Sequence, residues 1–371
     1  MTRLDKMIQE LCPDGVEYNR LDEISVMKRG TSITKKDIAT GDVPVISGGK
    51  EPAYYCDSYN RDGETITVAG SGAGAGFVQY WQCPIFVCDA FSITGTDDIL
   101  TKYLYYFLTN IQEYIYSTKK GGGVPHVHIS SIAHVKVPVP PLPVQREIVR
   151  ILDNFTELTT ELTTELTARK KQYEFYRDKL LTFDVLGGAS KVVWRTLGDV
   201  CHLQAGKAIP AHLISDTQTA ENFVPCYGAN GLRGYVSIFN ESGNKPIIGR
   251  QGALCGNVCF ATGSYYATEH AVVVTDKGFF NSRFLYHLLV NADLNQYKTA
   301  GAQPGLSVAK LRDVKIPVPT RTVQDKIVNV LDNFDAICSD LNIGLPAEIE
   351  ARQKQYEYYR DKLLSFKELK P

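Results

Sequence analysis

The sequence predicts an α+β protein: two pseudo-twofold-related α/β domains separated by an antiparallel two-helix coiled coil. Three observations carry that expectation. The chain is written twice, each copy closes with a long amphipathic helical segment, and each copy opens with short strand-like runs broken by glycine turns.

The duplication is plainest in the helical segments. "KVPVPPLPVQREIVRILDNF" at 136–155 returns as "KIPVPTRTVQDKIVNVLDNF" at 315–334. "RKKQYEFYRDKLLTF" at 169–183 returns as "RQKQYEYYRDKLLSF" at 352–366. The offset grows from 179 to 183, so the second copy holds four extra residues between Phe334 and Arg352, the size of one tetrapeptide. Fainter echoes run backward: "VAGSGAGAGFV" (68–78) faces "IGRQGALCGNV" (248–258), and "KYLYYFL" (102–108) faces "RFLYHLL" (283–289). The expected division is a first domain at 1–141, a long helix at 142–185, a second domain at 186–319, and a second long helix with a tail at 320–371. The globular halves have diverged while their helical tails have not, which implies different targets on a shared mount.

Taken in order, "ETITVAG" and "PIFVCDA" have strand character, and "TKYLYYFLTNIQEYIY" has helical spacing interrupted at Asn110. The lead "VPVPPLP" is extended, and Pro143 suits a first helical turn. Ile148, Leu152, Phe155, Leu162, Leu166, Tyr173, Tyr176, Leu180 and Phe183 then recur at three- and four-residue steps, with Leu158 beside them. Gly187 and Gly188 end the run. Forty residues of helix reach roughly 60 Å. In the second copy "KPIIGRQ" and "YATEHAVVVT" read as strands, and "NSRFLYHLLVNADLNQY" as a helix interrupted at Asn291. Thr322 and Asp325 offer a capping-box start to the second long helix. A second helix packed on the first must run back, bringing Pro371 close to the first domain.

Residues 156–167, "TELTTELTTELT", repeat one tetrapeptide three times inside the first helix. Four residues advance a helix by about 400° and 6 Å, so each unit lengthens the rod and turns its end by about 40°. The bland reading is helical filler. In a strut between two similar domains, the same repeat is a ruler whose length sets their spacing.

Composition bounds the rest. At 371 residues the chain is long enough for two or three cores. Forty Lys and Arg against 41 Asp and Glu argue against a chain that coats nucleic acid, while leaving room for local basic loops. No apolar run reaches about 18 residues, so no membrane span is expected. The start has no secretory pattern, so the nine cysteines are expected as thiols in a cytoplasm.

The doubled "PVP…Q…I…LD" lead, the "KKQYEFYRDKLL" segment and the TELT repeats between them resemble the specificity subunit of type I restriction-modification systems. The repeat is similar to that of the subfamily whose central helix carries T-x-E-L units. The resemblance implies two target-recognition domains that each read half of a bipartite double-stranded DNA site. It also implies an antiparallel coil that docks two methyltransferase subunits, and motor-nuclease subunits in the restriction complex. S-adenosylmethionine belongs on the methyltransferase, which modifies adenine N6; this chain is expected to hold no cofactor or metal and to perform no chemistry.

For DNA contact the candidates are polar and basic residues beside glycine turns. In the first domain these are Arg29, Ser32, Lys35, Lys36, Lys50, Lys119, Lys120 and His126. In the second they are Lys207, Tyr227, Asn230, Arg233, Arg250, Gln251, Lys298 and Gln303. Arg binds guanine bidentately, Asn and Gln bind adenine, and Lys holds phosphate; taken singly each reads more readily as solvated surface, and it is as a set that they are expected to be enriched on the DNA face. For partner docking the doubled segment offers Arg169, Lys170, Tyr173 and Tyr176, with Arg352, Lys354, Tyr356 and Tyr359, against a reading as the solvated side of a helix.

Other signals weaken on inspection. Gly70, Gly72 and Ala75 satisfy G-x-G-x-x-[GA], but "FVQYW" follows as strand, which makes a tight turn. Cys83 with Cys88, and Cys255 with Cys259, lack C-x-x-C spacing and read as buried thiols. His126, His128 and His134 face Gly305, Ser307 and Asp313 in the other half, which opposes a shared catalytic or metal role. Neither an NPPY-like methyltransferase tetrapeptide nor a G-x-x-x-x-G-K-[ST] loop occurs. Two rival readings stay open: a coiled-coil scaffold without DNA specificity, and a stand-alone DNA-modifying enzyme.

Overall fold

A computed structural model describes residues 2–33, 41–183, 192–299, 304–340 and 343–369. The chain divides into two units, Met1–Leu162 with Ile349–Pro371, and Thr163–Glu348.

In the first unit a four-stranded antiparallel sheet has the order Ser25–Arg29, Ala90–Gly95, Thr65–Ala69, Val78–Trp81. Thr65–Ala69 is buried along its whole length, as a central strand covered on both faces must be. A three-stranded sheet sets Val43–Ile46 between Tyr54–Cys56 and Phe86–Val87, the last pair parallel. Helix Thr101–Asn110 buries Tyr103, Leu104, Tyr106, Phe107 and Leu108, on the face that its three- and four-residue apolar steps define. The Pro-rich lead becomes strand Lys136–Val139, paired antiparallel with Glu17–Arg20.

The second unit repeats the plan. Its four-stranded sheet runs Cys201–Ala205, Ala271–Asp276, Lys245–Gly249, Val258–Ala261, and Lys315–Val318 pairs with Val193–Thr196. Helix Ser282–Asn291 buries Phe284, Leu285, His287, Leu288 and Leu289. Both domain helices stop at the asparagines the sequence marks. The glycine run at 70–76 is the turn between strands Thr65–Ala69 and Val78–Trp81. All nine cysteines are free thiols, with Cys255 buried but Cys83 exposed.

One glutamine anchors each long helix to its domain. Gln145, fully buried, accepts from the Leu100 amide at 2.9 Å and donates to the carbonyls of Asp98 and Pro140 at 2.9 and 2.7 Å. Gln324 accepts from Asn281 and donates to Phe279 and Pro319 at 2.7, 3.0 and 2.9 Å. A buried amide fully partnered in this way fixes the helix start.

Helix Leu142–Leu181 is continuous over 40 residues. Between Leu152 and Leu181 none of its residues is buried. Its threonines bond back to the preceding turn, Thr156 to the Leu152 carbonyl at 3.0 Å and Thr160 to Thr156 at 2.9 Å, so these hydroxyls find acceptors within the helix.

The second helical segment departs from expectation. Instead of one long helix it forms Arg321–Ser339 and Leu345–Leu363. Gly344 and Pro346 explain the restart: proline fits a first turn, where no amide partner is needed, and disfavours helix before it. The interval 335–351, which holds the four extra residues of the second copy, therefore contains the end of one helix and the start of another rather than one regular added turn. The capping box at Thr322 is also corrected. Thr320 is the N-cap, without a side-chain cap bond, and Asp325 instead accepts from the Asn281 side chain at 2.8 Å. "YATEHAVVVT" splits into Ser264–Ala267 and Ala271–Asp276, parted by a turn at Thr268. Helix Arg3–Leu11, held by a Thr2–Asp5 capping box, was not foreseen.

Gly187, Gly188 and Pro371 lie outside the described residues. The segment before Pro371 does return to the first unit: the Val16 amide donates to Lys367 and the Leu369 amide to Val16, both at 2.9 Å.

Candidate nucleic-acid interface

In each unit, loops from different strands are laced together by the same backbone hydrogen bonds. In the first, Gly70 N–H donates to Asp89 O and Val127 N–H to Gly70 O, both at 3.0 Å. In the second, Arg250 N–H donates to His270 O at 2.9 Å and Leu306 N–H to Arg250 O at 2.8 Å. Gly72 bonds to Pro125 as Gly252 bonds to Pro304, each at 3.0 Å. Asn60 clamps both backbone groups of Val87, and Asn240 clamps those of Ala267. The frame is common, but the side chains on it are not.

On the first frame Arg29, Gly70, Asp89, His126 and His128 line one cleft. The two imidazoles stack at 6.0 Å, and the Ser71 hydroxyl donates to the Asp89 carboxylate. Lys120 joins the cleft through its backbone bonds to His126 at 2.9 and 2.8 Å. Ser32 is exposed just beyond Arg29. Lys50 and Lys119 lie over the rings of Phe77 and Tyr116 at 5.2 and 4.3 Å. His134 sits apart, on the Tyr114 hydroxyl at 3.2 Å.

On the second frame Asn230, Arg233 and His270 line a concavity with Gly228 and Gly231. Arg250 joins through its bond to His270, Gln251 bridges to Gly305, and the Lys207 amide donates to Ala267 at 3.0 Å. Lys298 donates to the Asn295 side chain at 2.8 Å. Tyr227 is half-buried and edge-on to Tyr265 at 5.9 Å, a packing position. Lys35, Lys36 and Gln303 lie outside the described residues. Asp89, Glu269 and His270 belong to these sites but escaped the sequence reading, which sought cations and amides; their signal was a charged or polar residue before the alanine that starts each central strand.

The docking candidates divide by chemistry. The Tyr173 hydroxyl lies 3.3 Å from His287 Nδ1, and Tyr176 stacks on Phe334 at 5.7 Å. Tyr359 stacks on Phe155 at 5.4 Å, and Tyr356 packs on the first core. These tyrosines make contacts within their own units. Arg169 bonds to Gln172 and Lys354 to Glu350, at 3.0 and 2.6 Å; Lys170 is exposed and Arg352 reaches Gln355 at 3.0 Å. Phe175 and Tyr358, equivalent in the two copies and not singled out by sequence, are 60% and 62% exposed.

A module that appears twice, keeping one backbone frame while changing the side chains at its loop edges, defines a recognition protein with two heads. The chain matches the family described as type I restriction modification DNA specificity domain twice, over residues 13–170 and 190–351, and belongs to it. It is 40% identical over 269 residues to the type I restriction enzyme EcoprrI specificity subunit of Escherichia coli, covering 69% of this chain and 66% of that one. It is 29% identical to the EcoR124I/EcoR124II specificity subunit of Escherichia coli, covering 99% of this chain and 97% of the other. Its fold is similar to the crystal structure of the type I restriction-modification S subunit from M. genitalium, with a TM-score of 0.68 at 20% identity, covering 94% and 95% of the two chains. Among the described residues no helix is long and apolar enough to cross a membrane.

Proposed function

We propose that this chain is the DNA-reading and scaffolding subunit of a type I restriction-modification complex, acting in the cytoplasm on double-stranded DNA. It recognises sequence and performs no chemistry; methyltransferase and restriction subunits act with it. Each head reads one half of a bipartite site with an unread gap between the halves. Two methyltransferase subunits dock on the helical segments, carry S-adenosylmethionine and modify adenine N6, and motor-nuclease subunits join through them. The observation that carries this reading is the shared frame with unlike edges, Gly70 and Asp89 in one head against Arg250 and His270 in the other. A scaffold without sequence preference has no need of that divergence.

The gap is set by the helix. Its continuity over Leu142–Leu181 and the lack of buried residues from 153 to 180 support a strut. The stacked aromatics Phe155–Tyr359 and Tyr176–Phe334 support pairing of the helical segments as an antiparallel coil. Deleting residues 160–163 removes about 6 Å and about 400° of helix. Mapping of methylated adenines in a host expressing the system is expected to show the same half-sites with a shorter gap. Altered half-sites with the original gap would contradict the proposal.

A further inference from the structure

We propose that Arg250 and Glu269, the latter held by His270, together read one G·C base pair, in the half-site bound by the second head; this rests on the DNA-reading assignment above. The Arg250 backbone is fixed on both sides, its N–H on the His270 carbonyl and its carbonyl under the Leu306 N–H. Its Nε is buried and has no hydrogen-bond partner. Glu269 spends one carboxylate oxygen on His270 Nε2 at 3.2 Å, while its Oε2 and His270 Nδ1 are also buried without partners. Three unpaired polar atoms gathered on one frame are costly in the free protein. A ligand edge that carries two acceptors beside a donor matches the Arg250 guanidinium and the Glu269 carboxylate.

A G·C pair does so in the major groove: guanine N7 and O6 accept from a guanidinium, and cytosine N4 donates to a carboxylate. A phosphate satisfies only the arginine and is repelled by Glu269, so the pairing favours a base edge over the backbone. Asn230 and Arg233 border the same concavity as His270. The first head lacks the device, because Gly70 occupies the position of Arg250 and the Asp89 carboxylate is already held by Ser71. Base reading of this kind is therefore confined to one half-site.

The test maps methylated adenines in hosts that co-express the methyltransferase subunits with the native chain, Arg250→Ala or Arg250→Lys. Both variants are expected to relax one G·C position in one half of the motif, with the other half and the gap unchanged. Lysine keeps the charge but not the fork, so it separates base reading from phosphate binding. The native complex is also assayed on duplexes carrying 7-deazaguanine at each guanine of the motif in turn. One substitution, in that same half, is expected to weaken binding about tenfold or more. A motif unchanged in both variants, or no sensitive guanine in that half, overturns the inference. If a variant methylates nothing, the 7-deazaguanine result decides. A native complex with no bipartite motif at all removes the underlying reading instead.

Discussion

Phe155 and Tyr359, 204 positions apart in the chain, stack ring on ring at 5.4 Å. Phe334 and Tyr176 repeat the contact at 5.7 Å. Each unit thus couples the start of its own helical segment to the end of the other copy's segment, which explains why "QYE(F/Y)YRDKLL" was retained twice while the heads diverged.

A double-mutant cycle on Phe155→Ala and Tyr359→Ala is expected to give a coupling of about 0.5–1.5 kcal/mol in denaturant unfolding, the range of aromatic pairs. Phe334 with Tyr176 should behave alike. Additive effects at both pairs would mean that the stacking contributes nothing beyond burial.

Replacing Gln145 with Leu keeps the volume but leaves the Leu100 amide and the Asp98 and Pro140 carbonyls without their side-chain partner. Each buried group so orphaned costs about 1–3 kcal/mol. Thermal unfolding should show a large loss for Gln145→Leu and for Gln324→Leu, far beyond that of an exposed helix glutamine such as Gln353→Leu.

The heads should differ in acid. His287 is wholly buried, with Asp332 at 2.7 Å on Nε2 and the Tyr173 hydroxyl on Nδ1. Arg283, bonded to both Asp332 and Asp335, faces the same cluster, as does Tyr286. Burial holds the His287 pKa below its ordinary 6.5, helped by Arg283 and opposed by Asp332. A depressed pKa means the unfolded chain binds the proton more readily. The contribution is therefore complete above pH 6.5 and is lost as pH falls below it. The first head has Tyr106 on Asp153 at this place, with a phenol that burial pushes upward, away from this range. Hydrogen exchange, corrected for intrinsic rate, is expected to rise in Ser282–Asn291 between pH 6.5 and about 5 but not in Thr101–Asn110. His287→Gln should remove the difference.

Glycine substitutions give a graded test of the frame. A Cβ on Gly249 meets the Ala229 carbonyl at 1.8 Å, backbone against backbone. Gly249→Ala must displace the loop bearing Asn230, and is expected to abolish DNA binding by the assembled complex. Gly72 has a φ of +79° but open space around it, so Gly72→Ala should cost only about 1–2 kcal/mol of backbone strain and leave binding intact.

Much of this was legible because it is local. The duplication, the long first helix, the stops at Asn110 and Asn291 and the turn at Gly70 follow from periodicity and punctuation. The break before Leu345 was legible too, since Gly344 and Pro346 mark it, but the match between copies masked it. The helix starts from Thr320 rather than Thr322, and helix starts shift by a residue or two when no side chain caps them. The clusters at Asp89 and at Glu269 with His270 were not legible. They depend on bonds spanning 19 to 57 residues, from Gly70 to Asp89 and to Val127, which no window of sequence contains.

The first unit is finished by Ile349–Pro371, whereas the second is the unbroken stretch Thr163–Glu348. On the ribosome, where segments emerge in order, the later-made head has all its parts first. The earlier one must wait, with Val16 lacking its partners Lys367 and Leu369, until after the whole of the second unit has been synthesised. Birth order and completion order are reversed, and a chain stalled before residue 349 would carry one finished head and one open one.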